Sequence, residues 1–193
     1  MHGAFTNKEF NMRIGEIITE QTENESFNTN RPVAWKNTGG GNYNGHFEYK
    51  DTTYEVFLTR HDYPIEPSMI IYTVDFQVYV GDGPSIQLTR KNQASSILSI
   101  VMNQTHEKFI EEKISPDMLV IRISALIQNN TPEEIQIRQR LYDIMMNKFG
   151  PMMGFNHSMD WFATSRQVSK IYSRKPFTDD DIEDIKMALQ LKP

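Results

Sequence analysis

Between Met118 and Phe155 the chain reads MLVIRISALIQNNTPEEIQIRQRLYDIMMNKFGPMMGF, a strand pattern that gives way to a helix pattern across two asparagines. Leu119, Ile121, Ile123 and Ala125 alternate with Val120, Arg122 and Ser124, the period of two that puts one apolar face on a strand. Asn129-Asn130 break that period, as residues that tolerate turn conformations do. Thr131 is then placed as a helix N-cap and Pro132 at the first helical position, with Glu133 and Glu134 at the positive end of the dipole. Ile137, Leu141, Ile144 and Met145 fall on one helical face, and Gly150-Pro151 predicts the stop. The rest of the chain is arranged around this strand and helix.

Upstream, Phe10, Ile14, Ile17 and Ile18 form the apolar stripe of a helix expected over residues 1–22, too short to stand alone and so expected to dock on the body or on a partner. Residues 23–45 are rich in Asn, Thr and Gly and read as a loop with one short strand at Val33–Trp35. Gly39-Gly40-Gly41 within it lacks the Gly-Lys-Ser/Thr of a phosphate loop and is read as a turn. His46–Lys50 and Tyr54–Thr59 predict a hairpin, Met69–Val80 a longer strand with one apolar face, and Ser85–Thr89 a short return strand. The spacing then turns helical between Thr89 and Lys113. This helix is expected to join neighbouring strands by a right-handed crossover. Past Phe155 the pattern weakens to a strand and a loop before a terminal helix over Thr178–Leu191, capped by Thr178 and led by three aspartates. The order implies an α+β core over residues 46–160, with residues 161–193 forming a basic, aromatic segment and the C-terminal helix.

Composition narrows the chemistry. The 193 residues contain no Cys, which removes disulfides, thiolate catalysis and cysteine metal sites. A net charge of −5 argues against wrapping nucleic acid by bulk charge, though not against a local basic patch. No apolar run approaches membrane-spanning length and the start lacks a secretory core, so the expectation is a protein working inside a cell, away from membranes. The five histidines (His2, His46, His61, His106, His157) show no paired metal-ligand spacing, so no metal site is expected. His61, Asp62 and Glu66, bracketed by Pro64 and Pro67, are read as exposed turn residues.

A meander, a helix, a strand, and a helix with Leu141-Tyr142 ahead of Gly154-Phe155 resembles the GNAT N-acetyltransferase superfamily, and Asn130 upstream of that helix fits the same pattern. The stretches Ile97-Leu98-Ser99-Ile100-Val101, Pro116-Asp117 and Arg138-Gln139-Arg140-Leu141-Tyr142, together with Met12–Glu20, are similar to small uncharacterised proteins of tailed bacteriophages. The resemblance covers roughly residues 46–155 and its motifs are short. It implies a GNAT-like mixed, largely antiparallel sheet with a crossover helix. It also implies an acetyl-CoA site at Arg90, Asn92, Gln93, Ala94 and Ser95, where backbone N–H groups hold pyrophosphate, and Tyr142 as the general acid. The sequence departs from the family there. Arg90–Ser95 has neither glycine in register, side chains at Gln93 and Ser95 crowd the backbone, and Met69–Val80 shows no splayed end beside the loop.

The residues alone read Tyr142 as core with a satisfied hydroxyl. Trp161, Phe162, Arg166, Lys170, Tyr172, Arg174 and Lys175 concentrate aromatics and four basic residues, a set suited to phosphate backbones or an acidic protein surface, with a solvated edge closing the core as the simpler reading. The preferred expectation is a phage-encoded, non-catalytic interaction or virion-associated protein on a degenerate scaffold, without a cofactor. Its partners are expected to be other phage or virion proteins, in the host cytoplasm or in the virion. The alternatives are an acyl-CoA-dependent N-acyltransferase, with acetyl-CoA as cofactor, and a nucleic-acid-binding protein, the less favoured partner class.

Overall fold

Alternation of side chains organises the structure from its third strand outward. In Thr52–Asp62 (β3), Tyr54, Val56 and Leu58 are buried while Glu55 and Phe57 are half-buried and Thr59 is exposed, as a period of two requires. The computed structural model describes residues 29–62, 70–80, 83–85, 94–114, 119–126, 131–163 and 167–189. The expected N-terminal helix (1–22), Glu66, Arg90–Gln93 and Arg166 lie outside them.

The described chain is α+β, with an antiparallel run of four strands and three helices. Ala34–Gly39 (β1), Asn42–Tyr49 (β2), β3 and Ile70–Val80 (β4) form a meander, each strand antiparallel to the next. Gly83–Ser85 (β5) folds back on the end of β4. Ala94–Glu111 (α1) then leads to Leu119–Leu126 (β6), which lies parallel to β4. Pro132–Met153 (α2) follows, then the short strands His157–Ser158 (β7) and Phe162–Ala163 (β8), Gln167–Ser173 (β9) and Asp179–Ala188 (α3). The sheet order is β1-β2-β3-β4-β6-β9-β7, with β8 also paired to β9.

Two differences from the sequence reading concern strands. The stretch expected as loop through Gly45 forms β1 and the start of β2, because Gly39–Gly41 is a hairpin turn rather than the middle of a loop. His61 and Asp62 belong to β3 rather than to a turn, and His61 Nε2 lies 2.7 Å from Thr73 Oγ1.

One face of the sheet is covered by α1 and α2. Ile97, Leu98, Val101, Met102 and Phe109 of α1 and Tyr142, Met145, Met146 and Phe149 of α2 join Phe47, Tyr54, Val56, Leu58, Tyr72 and Tyr172 of the strands in the main core. Burial of this kind stabilises by about 1.5–3 kcal/mol for each large apolar side chain. On the other face α3 packs across the β4–β9 part of the sheet, where Ile185 and Leu189 join Ile71 of β4 and Ile171 of β9. Its start is a capping box: Asp181 N–H donates to Thr178 Oγ1 at 3.1 Å, and Thr178 N–H donates to Asp181 Oδ2 at 2.8 Å. Among the described residues no helix covers β1–β3 on that second face, where Lys36, His46, Glu48 and Thr59 are exposed, as is Asp75 on β4.

Helix α2 runs past the expected stop, through Pro151 to Met153. Its terminator is Gly154, whose φ of +81° a side chain would resist, and Phe155 N–H closes the turn onto Gly150 O at 2.8 Å. Gly150 serves packing instead, since a Cβ there would sit 3.1 Å from Phe155 O. Helix α1 is held from a second side by residues 29–33. Gln104 accepts from Val33 N–H at 3.0 Å and donates to Asn30 Oδ1 and Glu107 Oε2, while Ser99 Oγ donates to Thr29 O at 2.7 Å.

Gly45 lets the Trp35 ring lie flat on β2. A Cβ there would come within 2.6 Å of Trp35 Cε3 and would also strike Val33. Gly45→Ala is therefore expected to lower the stability measured by urea unfolding by about 1–3 kcal/mol. A neutral result would show that Trp35 does not pack on Gly45.

Candidate functional site

Strands β4 and β6 are partnered only from Ile70 to Thr73 and from Leu119 to Arg122. Both then continue, β4 to Val80 and β6 to Leu126, each paired on its far side to β3 or β9. Among the described residues nothing pairs with Val74–Gln77 or Ile123–Leu126 across the gap, and β5 returns onto β4 only at Val78–Val80. The two parallel strands therefore part into a fork, with main-chain donors and acceptors on its two inner edges. The long strand thus has the splayed end that its sequence did not reveal.

Tyr142 of α2 is buried, at 7% exposure, and belongs to the main core. The packing expected of it is there; among the described residues none hydrogen-bonds its hydroxyl. Burial pushes its pKa up to about 12, with Arg138 working to lower it and Asp75 to raise it. Asp75 stands on β4 two residues past the point where the strands part. Arg138, one helical turn before Tyr142 on the same face of α2, is half-buried. Of the expected cofactor loop, Ala94 and Ser95 open α1, and Ser95 is buried at 4% exposure.

The basic and aromatic residues singled out in the C-terminal segment converge on a residue the sequence reading passed over, Asp143. Its Oδ1 accepts from Lys170 Nζ at 2.9 Å and from the Tyr172 hydroxyl at 3.2 Å, and its Oδ2 accepts from Trp161 Nε1 at 3.2 Å. The Lys170 ammonium also lies 5.9 Å from the Trp161 ring centre and 5.5 Å from that of Tyr172. Burial first, and then Asp143, drives the Tyr172 pKa far above its ordinary value. Arg174 is turned elsewhere: its Nε donates to Met153 O at 2.7 Å at the end of α2, and its guanidinium covers the Phe155 ring at 5.3 Å. It also stands near His106, whose pKa burial and the Arg174 charge hold down. Lys175 is exposed. The structure thus gathers Trp161, Lys170 and Tyr172 and separates Arg174 and Lys175 from them. Nothing in the sequence marks Asp143, because its three donors follow it by 18 to 29 residues and only the folding of β9 and of the segment before it brings them together.

No group of three or more His, Asp or Glu among the described residues is placed to hold a metal ion. No helix among them is long and apolar enough to cross a membrane. Compared with protein-family models, curated proteins and solved structures, the chain matches none.

Two consequences are measurable. Asp143→Asn should lower the pKa of Tyr172, seen in the ultraviolet titration of its phenol, and cost about 1–2 kcal/mol of stability. An unmoved titration would deny the contact. Because Tyr142 and Tyr172 both ionise later in the folded chain than in the unfolded one, their contribution to stability should be level below pH 10.0 and fall above it. Tyr142→Phe should make that fall shallower between pH 10.0 and about 12, leaving the Tyr172 share; an identical alkaline profile would contradict the assignment.

Proposed function

We propose that this chain is a tailed-bacteriophage protein of GNAT-like fold, acting as a non-catalytic interaction or virion-associated structural domain in the host cytoplasm or the virion. The fold assignment is supported by strand order: a meander, a helix leading to a parallel neighbour, a second helix, and a return strand on the far side of that neighbour. The interaction reading is carried by β1–β3, where no described helix covers one face of the sheet and terminal strand β1 is exposed along nearly its whole length. Exposed strand edges and sheet faces are where partner proteins add strands or dock. The partners proposed are other phage or virion proteins.

A second reading, an acyl-CoA-dependent N-acyltransferase, is favoured by one observation: the fork between β4 and β6. It is ranked second because Arg90–Ser95 has no glycine to let a pyrophosphate approach the backbone. Nucleic-acid binding ranks third, since Lys170 and Arg174 already have partners within the domain. Acetyl-CoA should leave the melting temperature of the full chain unchanged, and a saturable rise would promote the second reading over the first. Retention on DNA or RNA that weakens with salt and disappears in an Arg166/Lys170/Arg174 triple alanine variant would promote the third.

A further inference from the structure

The sheet face that no described helix covers has a chemistry of its own. We infer that this face of β2 and β3, with the adjoining part of β4, docks a basic protein segment whose arginine side chains lie on Phe57. Such docking presupposes that the chain works as an interaction domain, and it names the chemistry of the partner. Register brings the residues together. Asn44 of β2, Phe57 of β3 and Asp75 of β4 stand directly opposite one another, and His46, Glu55 and Gln77 form the next row. Residues paired in this way share a face, with Cβ atoms about 4.5–5.5 Å apart. It is the face turned from the main core, because Tyr43, Phe47, Tyr54, Val56 and Leu58, which alternate with them, are the buried ones. Phe57 is half-buried and belongs to neither apolar cluster of the described residues, and its neighbours in both rows are polar. A ring set among carboxylates presents a negative π-face where a cation is already favoured.

Charge selects the partner. Glu48, Glu55 and Asp75 put three carboxylates on this face, and Lys36 stands at its rim on β1. Glu55 is held in position by two carboxamides: its Oε1 accepts from Asn44 Nδ2 at 2.6 Å and its Oε2 from Gln77 Nε2 at 2.7 Å. A guanidinium stacked on Phe57 meets Asp75 directly across the strands and Glu55 two residues along β3, so a cation–π contact and charge-assisted hydrogen bonds form together. Arginine suits this better than lysine, because its flat fork stacks and bonds at once. The same charges repel a phosphate backbone or an anionic membrane, and a second copy of this face would set carboxylates against carboxylates. The aspartates that open α3 differ: they complement the positive end of a helix, whereas these carboxylates stand on strands.

The test is an NMR titration of the full chain with acetyl-Arg-Gly-Arg-Gly-Arg-amide, followed through the backbone amides. The same peptide with lysine, and with citrulline, which keeps the shape of arginine without its charge, serve as comparisons. The expected result is a saturable shift centred on residues 55–59 and on Asp75, weaker with lysine, absent with citrulline and reduced by salt. Asp75→Asn, a change to an exposed side chain, and Phe57→Thr, which keeps a strand-forming residue, should each weaken binding by about threefold, the weight of one exposed charge pair or cation–π contact. If circular dichroism shows Phe57→Thr unfolded, Asp75→Asn decides. No saturable shift, equal shifts with lysine or citrulline, shifts centred on residues 179–181 at the start of α3, or full binding in Asp75→Asn would each overturn the proposal. The interaction reading itself fails on a different result, the rise in melting temperature with acetyl-CoA, so the two can fail separately.

Discussion

The sheet is one sheet only because four residues of β4 pair with four of β6. On one side of that seam lie β1 to β5, built almost entirely from local hairpins. On the other lie β6 to β9, joined to the first half through α1 and to one another across α2. A parallel pair cannot be closed by a tight turn, so α1 has to cross the face of the sheet to deliver β6. That crossing explains why α1 is buried on nearly every side: the core of the meander lies beneath it, α2 beside it, and residues 29–33 are strapped over it through Gln104 and Ser99. It also explains Tyr72, which stands on β4 in the seam and packs its ring 5.1 Å from Phe109 of α1.

The shortness of the seam creates the site. Because they part after Thr73, β4 and β6 face each other across a gap with main-chain groups that no described residue pairs. The other polar side chains of this half are already committed to one another. Asp143 takes up Trp161, Lys170 and Tyr172, and Arg174 closes the end of α2. Those contacts weld α2 to β9 at Asp143, the residue next to Tyr142.

Much of the fold was legible because it is written in local patterns. The alternation in Leu119–Ala125, the Thr131-Pro132 start and the Thr178 cap with its aspartates each depend on residues a few positions apart. What could not be read depends on distant pairing. Gly150-Pro151 looks like a helix stop, yet the stop is Gly154, chosen by where Phe155 and Arg174 pack. Gly39–Gly41 is locally only a turn, and the strands on either side of it become visible once Trp35 is seen resting on Gly45. The site was half legible. Tyr142 stood out by its motif, but the fork is a failure of pairing between strands 49 residues apart (Ile70 to Leu119), which no local pattern records. Asp143 was missed for the same reason, and the basic residues that seemed to offer a charged surface are largely spent inside the domain.

Amide hydrogen exchange on the full chain tests the parting of β4 and β6 most directly. Amides in the seam, Ile70–Thr73 and Leu119–Arg122, should exchange only with global unfolding. Those of Val74–Gln77 and Ile123–Leu126 that point into the gap should exchange orders of magnitude faster than their neighbours bonded to β3 and β9. Uniform protection to the ends of both strands would mean that the sheet is closed there, and the fork would have to be abandoned.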